Sequence, residues 1–363
     1  MLVEASRRLI GLDFARAWAL FGMLIVNFIV ITNAEHNGPA WLITVTSLFQ
    51  GRASALFVLL AGIGISLMSR KAAASQDKTN IMAVRQLIWK RSLFLFIIGL
   101  LLYVMEWTGD ILHYYGVYLF IAAALITVKD RTLYGLGAAI LITAQCLQLI
   151  YDTFTGWGGP VPFMNYVDFW TLDGFIRNLF FNGYHPVFPW FCFFIVGLLL
   201  GRINLNNKAL RNKLLIIGAA VTITIELLSK ILTYLFIPSM GSEVAAFLFN
   251  TGPILPNILY ILSATGSAIV FLIVCLYLTE KYDRGWFINA IVHTGQLTLT
   301  HYVSHVVIGI GILIVLNRLE NQSLIFASTY SVCFFLLSIL FSVLWRKKFS
   351  RGPIELLMRK ITG

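Results

Sequence analysis

Apolar stretches of 17 or more residues recur along the whole chain, and no other feature constrains the fold as strongly. Each can cross a hydrocarbon core about 30 Å thick, at about 1.5 Å of rise per helical residue. Only 12% of the 363 residues are charged and 59% are apolar, against roughly 25% charged in soluble domains. The expected fold class is an all-α, polytopic integral membrane protein, with residues 1–363 forming a single transmembrane domain.

Charges, Pro, Gly and Asn divide the apolar runs into ten expected spans. These lie near residues 12–32, 53–69, 92–107, 112–128, 133–151, 186–201, 214–237, 255–279, 296–316 and 324–345. Lys and Arg test that count, because cytoplasmic loops hold an excess of them and a missed span would scramble the alternation. With both termini cytoplasmic, 22 of the 27 fall inside, and only Arg52, Arg177 and Arg318 fall outside. Arg16 and Lys230 sit within spans. The same distribution explains the net charge of +11 without nucleic acid, since the basic residues punctuate apolar segments rather than cover one soluble face. The first apolar run is too long for a cleavable signal peptide and contains Asp13 and Arg16. Cys146, Cys192, Cys275 and Cys333 each lie inside an apolar run, so they form neither a disulfide framework nor a paired metal motif. No internal repeat supports an inverted-repeat transporter.

An ionisable group in hydrocarbon costs at least about 2.5–3.5 kcal/mol, so each needs a partner, a wet cavity or a function. Asp13 and Arg16 are i,i+3 neighbours that can pair, and Arg16 and Asn27 are three turns apart on one face. That face is expected to be polar along its length and to line a channel; the alternative is simple neutralisation of Asp13 by Arg16. Beyond the helix, NAEHNGPAW places His36 beside Glu35. Histidine suits proton transfer near neutral pH, and a neighbouring carboxylate can raise its basicity. In GQLTLTHYVSHVVIG, Thr298, His301 and His305 share a helix face. No HExxH pattern or nearby acidic ligand accompanies them, so a polar ligand cavity is expected there and no metal, with structural hydrogen bonds between helices as the alternative. His113 and His185 lie at span boundaries, where an interfacial role is the default, and Glu226 is expected to pair with Lys230. Residues 152–184 form the one long outer connection, with Trp157, Tyr166, Trp170 and Tyr184 as either an interfacial belt or a substrate platform.

These stations resemble those of a known family. LDFARAWALFGMLIVNF is similar to the LDxxRGxALxxMxxxN opening of the heparan-alpha-glucosaminide N-acetyltransferase catalytic domain and its bacterial, YeiB-like relatives. The second span GRASALFVLLAGIGISLM and the segment GQLTLTHYVSHVVI follow in the family's order, and RGPIELLMRKITG resembles the ending of the YeiB-like branch. The chain departs from the pattern at Ala17, where the family usually has Gly. The resemblance implies an acyltransferase that moves acetyl from cytosolic acetyl-CoA to an extracytoplasmic sugar or glycan. It further implies multi-pass residence in the plasma membrane, among lipid, and a homodimer. Under it His36, with Glu35, is the catalytic candidate, either as covalent acyl acceptor or as general base. Asp13, Arg16, Asn27, His301, His305 and Arg351 are the candidates for binding the coenzyme A ester. The competing expectation is a transporter of a small polar or anionic solute that uses the same intramembrane Arg and His residues.

Overall fold

The computed structural model describes residues 10–159, 163–282 and 285–363; Arg7, Arg8 and Arg284 of the charge distribution lie outside them. The described residues are mostly helical, with almost no strand. The first half of the chain forms α1 (Ile10–Ile31), α2 (Ala40–Ser47), α3 (Arg52–Ser75), α4 (Lys78–Val104), α5 (Leu112–Leu125) and α6 (Asp130–Ile150). A two-residue hairpin, β1 (Trp157–Gly158) with β2 (Asn165–Tyr166), precedes α7 (Leu172–Arg177), a π-helical turn (Asn178–Asn182) and α8 (Val187–Arg202). Next come α9 (Lys208–Met240), α10 (Ser242–Phe249), α11 (Ile258–Lys281), α12 (Trp286–Gln296) and α13 (Thr298–Ser304). A second π-helical turn (His305–Ile310), α14 (Gly311–Val315), α15 (Leu324–Trp345) and α16 (Pro353–Thr362) complete the chain.

Eight helical stretches among the described residues are long and apolar enough to cross a membrane; two are composite, Ala40–Ser75 joining α2 and α3, and Thr298–Val315 joining α13, the second π-helical turn and α14. The pair Leu172–Asn182 and Val187–Arg202, bent by 48°, makes a ninth if its limbs form one span. The expected fourth span is the 14-residue α5, short for a crossing. The expected outer connection is also partly helical, because Thr171 caps α7 by accepting from the Gly174 amide at 3.1 Å. Several long helices start on similar side-chain caps: Asp77 for α4, Asn207 for α9 and Ser323 for α15. On α9 only Arg211, Gly218 and Ser229 are buried, while Ile216, Ile223 and Tyr234 are at least 60% exposed. An apolar face of that extent is stable against lipid tails and not against water.

The chain divides into two compact units, residues 1–54 with 269–357 and residues 55–268 with 358–363. In the first, α1 packs against α12 and α15. A Cβ on Gly295 would sit 1.7 Å from the Asp13 carbonyl oxygen and 3.2 Å from the Ala17 nitrogen. Gly295 thus supplies a close approach at the place where Ala17 departs from the family pattern. The buried face of α15 carries Ala327, Ser331, Ser338 and Ser342, small side chains of the kind that let helices approach closely in lipid. In the second unit α4 packs on α5 and α6 on α8. There Gly62 and Gly197 bring α3 and α8 into backbone contact, since a Cβ on either would lie 2.2 Å or less from a carbonyl oxygen of the other helix.

Candidate functional site

His36 lies on a short loop that is strapped at both ends. Helix α1 closes with Asn33 in the left-handed region (φ 49°), the Ala34 amide bonded to Ile29 O and the Asn33 amide to Val30 O, each at 3.0 Å. This double bond is a Schellman cap, which turns the chain sharply out of the helix. The Asn37 carbonyl then accepts from the Leu324 amide at 2.7 Å, and Asn37 Nδ2 donates to Gln322 O at 3.1 Å. Gly38 packs against Leu324, where a Cβ would come within 2.6 Å of that side chain. His36 itself is exposed. With Glu35, Thr46, Gln50, Val26 and Ile29 it lines a cavity of about 150 Å³. Glu35 and His36 share this cavity without a hydrogen bond between them, so the carboxylate does not hold the ring in the way their adjacency implied.

Two polar stations lie along α1. Near its start, Arg16 Nη1 bonds the buried Asp13 Oδ1 at 2.6 Å, and Gln296 Nε2 donates to Asp13 Oδ2 at 3.2 Å. The Arg16 side chain keeps 28% of its surface exposed. Farther along, Asn27 Nδ2 lies 3.0 Å from His305 Nε2, and His305 Nδ1 contacts the Tyr302 carbonyl. That carbonyl makes Nδ1 the donor, so Nε2 accepts from the amide of Asn27. His305 opens the second π-helical turn, a distortion frequent at functional positions.

The face of α1 between the stations is not polar. Leu20 and Met23 occupy it and are buried as core. The expected channel along this face is therefore overturned: the two polar groups mark the ends of an apolar stretch, because a helix packed between neighbours must fill its middle turns with side chains that need no partner.

His301 is buried against α15, with Nε2 2.7 Å from Ser342 Oγ, an interhelical hydrogen bond. Arg351 accepts from Trp345 Nε1 through its carbonyl at 2.8 Å, which orients the following Gly-Pro turn. Past that turn, Glu355 caps α13 by accepting from the Leu299 and Thr300 amides at 2.9 and 3.1 Å and from Thr300 Oγ1 at 2.5 Å. Burial pushes its carboxyl above the ordinary value, outweighing these hydrogen bonds.

The second unit holds polar groups that the sequence left among interfacial defaults. His113 is fully buried and bonded through Nδ1 to Asp110 Oδ2 at 2.8 Å. The available signal was an acid three residues before a histidine in GDILHYYG. Glu226, for which Lys230 is the obvious partner four residues on, accepts from Ser263 Oγ at 2.6 Å and Thr251 Oγ1 at 3.0 Å. The outer connection is tied down by Asn182, which accepts from Tyr166 Oη at 2.7 Å and donates to Thr153 O and Thr155 O. Burial raises the Tyr166 phenol above its ordinary value although Arg177 donates to it. A separate cavity of about 260 Å³ is lined by Ser66, Ser69, Arg70, Thr127 and Arg202. Arg202 is anchored there by Asp130 and the Val128 carbonyl.

Comparison with known proteins places these features in a family. Residues 8–236 match the model of the heparan-alpha-glucosaminide N-acetyltransferase catalytic domain. Residues 200–363 match a family described as a protein of unknown function (DUF418). The chain is 25% identical to the uncharacterized protein YeiB of Escherichia coli (strain K12), over 98% of this chain and 96% of that protein. The first match covers more than half of the chain and includes α1, the His36 loop and the Asp110–His113 pair, so the chain belongs to the heparan-alpha-glucosaminide N-acetyltransferase catalytic family.

Proposed function

We propose that the protein is a transmembrane acetyltransferase that takes acetyl from cytosolic acetyl-CoA and delivers it to a hydroxyl or amine of an extracytoplasmic sugar or glycan. One observation supports this most directly: an exposed imidazole, His36, is presented by a doubly strapped loop at a cavity it shares with Glu35. In direct transfer the acceptor's O–H or N–H proton passes to the imidazole. The acceptor atom bonds to the acetyl carbonyl carbon, and the thiolate of coenzyme A leaves. In the covalent variant an imidazole nitrogen bonds to the acetyl carbon as the coenzyme A thiolate leaves, and in a second step the acceptor O–H or N–H displaces the imidazole, which takes up its proton. Both routes require His36 to meet a thioester loaded from the cytosol, so each requires a passage across the membrane other than the apolar face of α1.

The charge distribution supports the direction of transfer. The ten-span orientation assigns Asp13, Arg16 and Arg351 to the cytoplasmic side and His36 to the outer side. Arg70 and Arg202, with the hydroxyls of Ser66, Ser69 and Thr127, line a cavity whose chemistry matches a phosphate-bearing donor.

Labelled acetyl-CoA and a panel of amino sugars and neutral sugars, incubated with the purified protein, test this reading. Acetylated sugar should form, and His36→Ala should lower turnover at least about 100-fold, the usual contribution of a positioned acid–base group. The exposure of His36 means that the variant still folds. Undiminished turnover in His36→Ala would remove the residue from its role. Failure of calorimetry to detect coenzyme A binding would favour a transporter instead.

A further inference from the structure

We propose that Asp110, His113 and Tyr103 form a binding site for a hydroxyl group of a polyhydroxylated ring, closed by the aromatic segment around Phe169. All of these residues belong to the second unit. Asp110 and His113 have fully buried side chains, and Asp110 Oδ2 accepts both from His113 Nδ1 and from the His113 amide at 3.0 Å. The carboxylate therefore fixes the tautomer: Nδ1 carries the proton and Nε2 presents a lone pair. That lone pair is buried and makes no hydrogen bond among the described residues. His305, equally buried, has a partner for each nitrogen. A spare acceptor on an oriented imidazole is costly to keep dry unless something occupies it.

Tyr103 supplies the complement. Its ring stands perpendicular to the His113 ring at 5.8 Å between centroids, and its hydroxyl is likewise buried without a partner among the described residues. Together the two residues offer one acceptor and one donor. A hydroxyl is both donor and acceptor and satisfies the two together, whereas an anion would face the lone pair of Nε2. The surrounding surfaces suit a ring with an apolar face. Phe169 stacks on Tyr103 at 3.5 Å with 13° between planes, and Trp170 stands perpendicular to both rings. Flat aromatic faces of this kind pack against the C–H face of a sugar ring. Phe169 lies in the turn between β2 and α7, while its neighbour Trp170 is 64% exposed. Displacing Phe169 from Tyr103 opens the site at the exposed edge.

This inference goes beyond the proposed function: it concerns the binding of a sugar within the second unit and does not rest on its acetylation. The test uses the full chain in lipid nanodiscs, with no coenzyme A present. Tryptophan fluorescence is titrated with methyl α-glucopyranoside. Saturable quenching is expected, and Tyr103→Phe should weaken it about fivefold, the worth of one hydrogen bond. His113→Gln should weaken it further, and Phe169→Ala should speed association. Tyr103→Phe keeps the stacked ring and removes a hydroxyl that has no partner among the described residues, so its melting temperature should equal or exceed that of the wild type. Absence of saturable binding by the wild type, or equal affinity in a folded Tyr103→Phe, overturns the site. Sugar acetylation without methyl glucoside binding would sink this inference alone. Binding without acetylation would sink the acetyltransferase reading alone.

Discussion

At the scale of single residues, the structure separates ionisable groups that are satisfied from those that are not. Asp13 is answered by Arg16 and Gln296, and His305 by Asn27 and a backbone carbonyl. Such pairs keep polar atoms tolerable in an apolar interior, where an unmet donor or acceptor costs about 1–3 kcal/mol. Asn27→Leu should accordingly lower stability by about that amount, read as a drop in the unfolding midpoint in detergent. An unchanged midpoint would mean that Nε2 of His305 finds another donor. His36 is the contrast: its exposure frees it from any structural duty, which is why its substitution reports on chemistry.

At the scale of elements, close helix packing is set by small residues and by the cap that the C-terminal segment places on α13. Gly295 admits the backbone of α1, and Gly352 admits the Glu355 carboxylate beside Thr300. Glu355 lies outside the membrane spans, and its folded-state carboxyl is raised above the unfolded value near 4.3. A group shifted upward on folding contributes stability that is fully present below its unfolded value and lost as pH rises through the folded one. Docking of α16 on α13 should therefore tighten on acidification from neutral pH. The check is proteolytic release of the C-terminal segment across pH 4–7, corrected for protease activity. Glu355→Gln keeps an acceptor but cannot ionise, so it should flatten the pH dependence. A slope unchanged in that variant would exclude Glu355 as its source.

For the whole molecule, orientation is the property that decides which chemistry faces which compartment. The skew of Lys and Arg toward one set of loops predicts cytoplasmic termini. A fluorescent protein fused after Gly363 should mature and fluoresce, while alkaline phosphatase inserted near Thr155 should be active. The reverse pattern would place His36 on the cytoplasmic side and remove the basis for transfer across the membrane.

The amino-acid sequence by itself determined the helical membrane class, the approximate position of most spans and the family. Each depends on local composition and ordered motifs, which can be read without knowing what touches what. The Asp13–Arg16 pair was legible for the same reason, because i,i+3 neighbours on a helix must meet. The partnership of Asn27 with His305, 278 positions apart, and the burial of Asp110 and His113 were decided only by tertiary structure. So was the filling of the middle of α1 by Leu20 and Met23, which broke the expected channel. Periodicity names the face on which a side chain lies, but only the packing of distant segments decides whether that face meets a polar partner, a cavity or another helix.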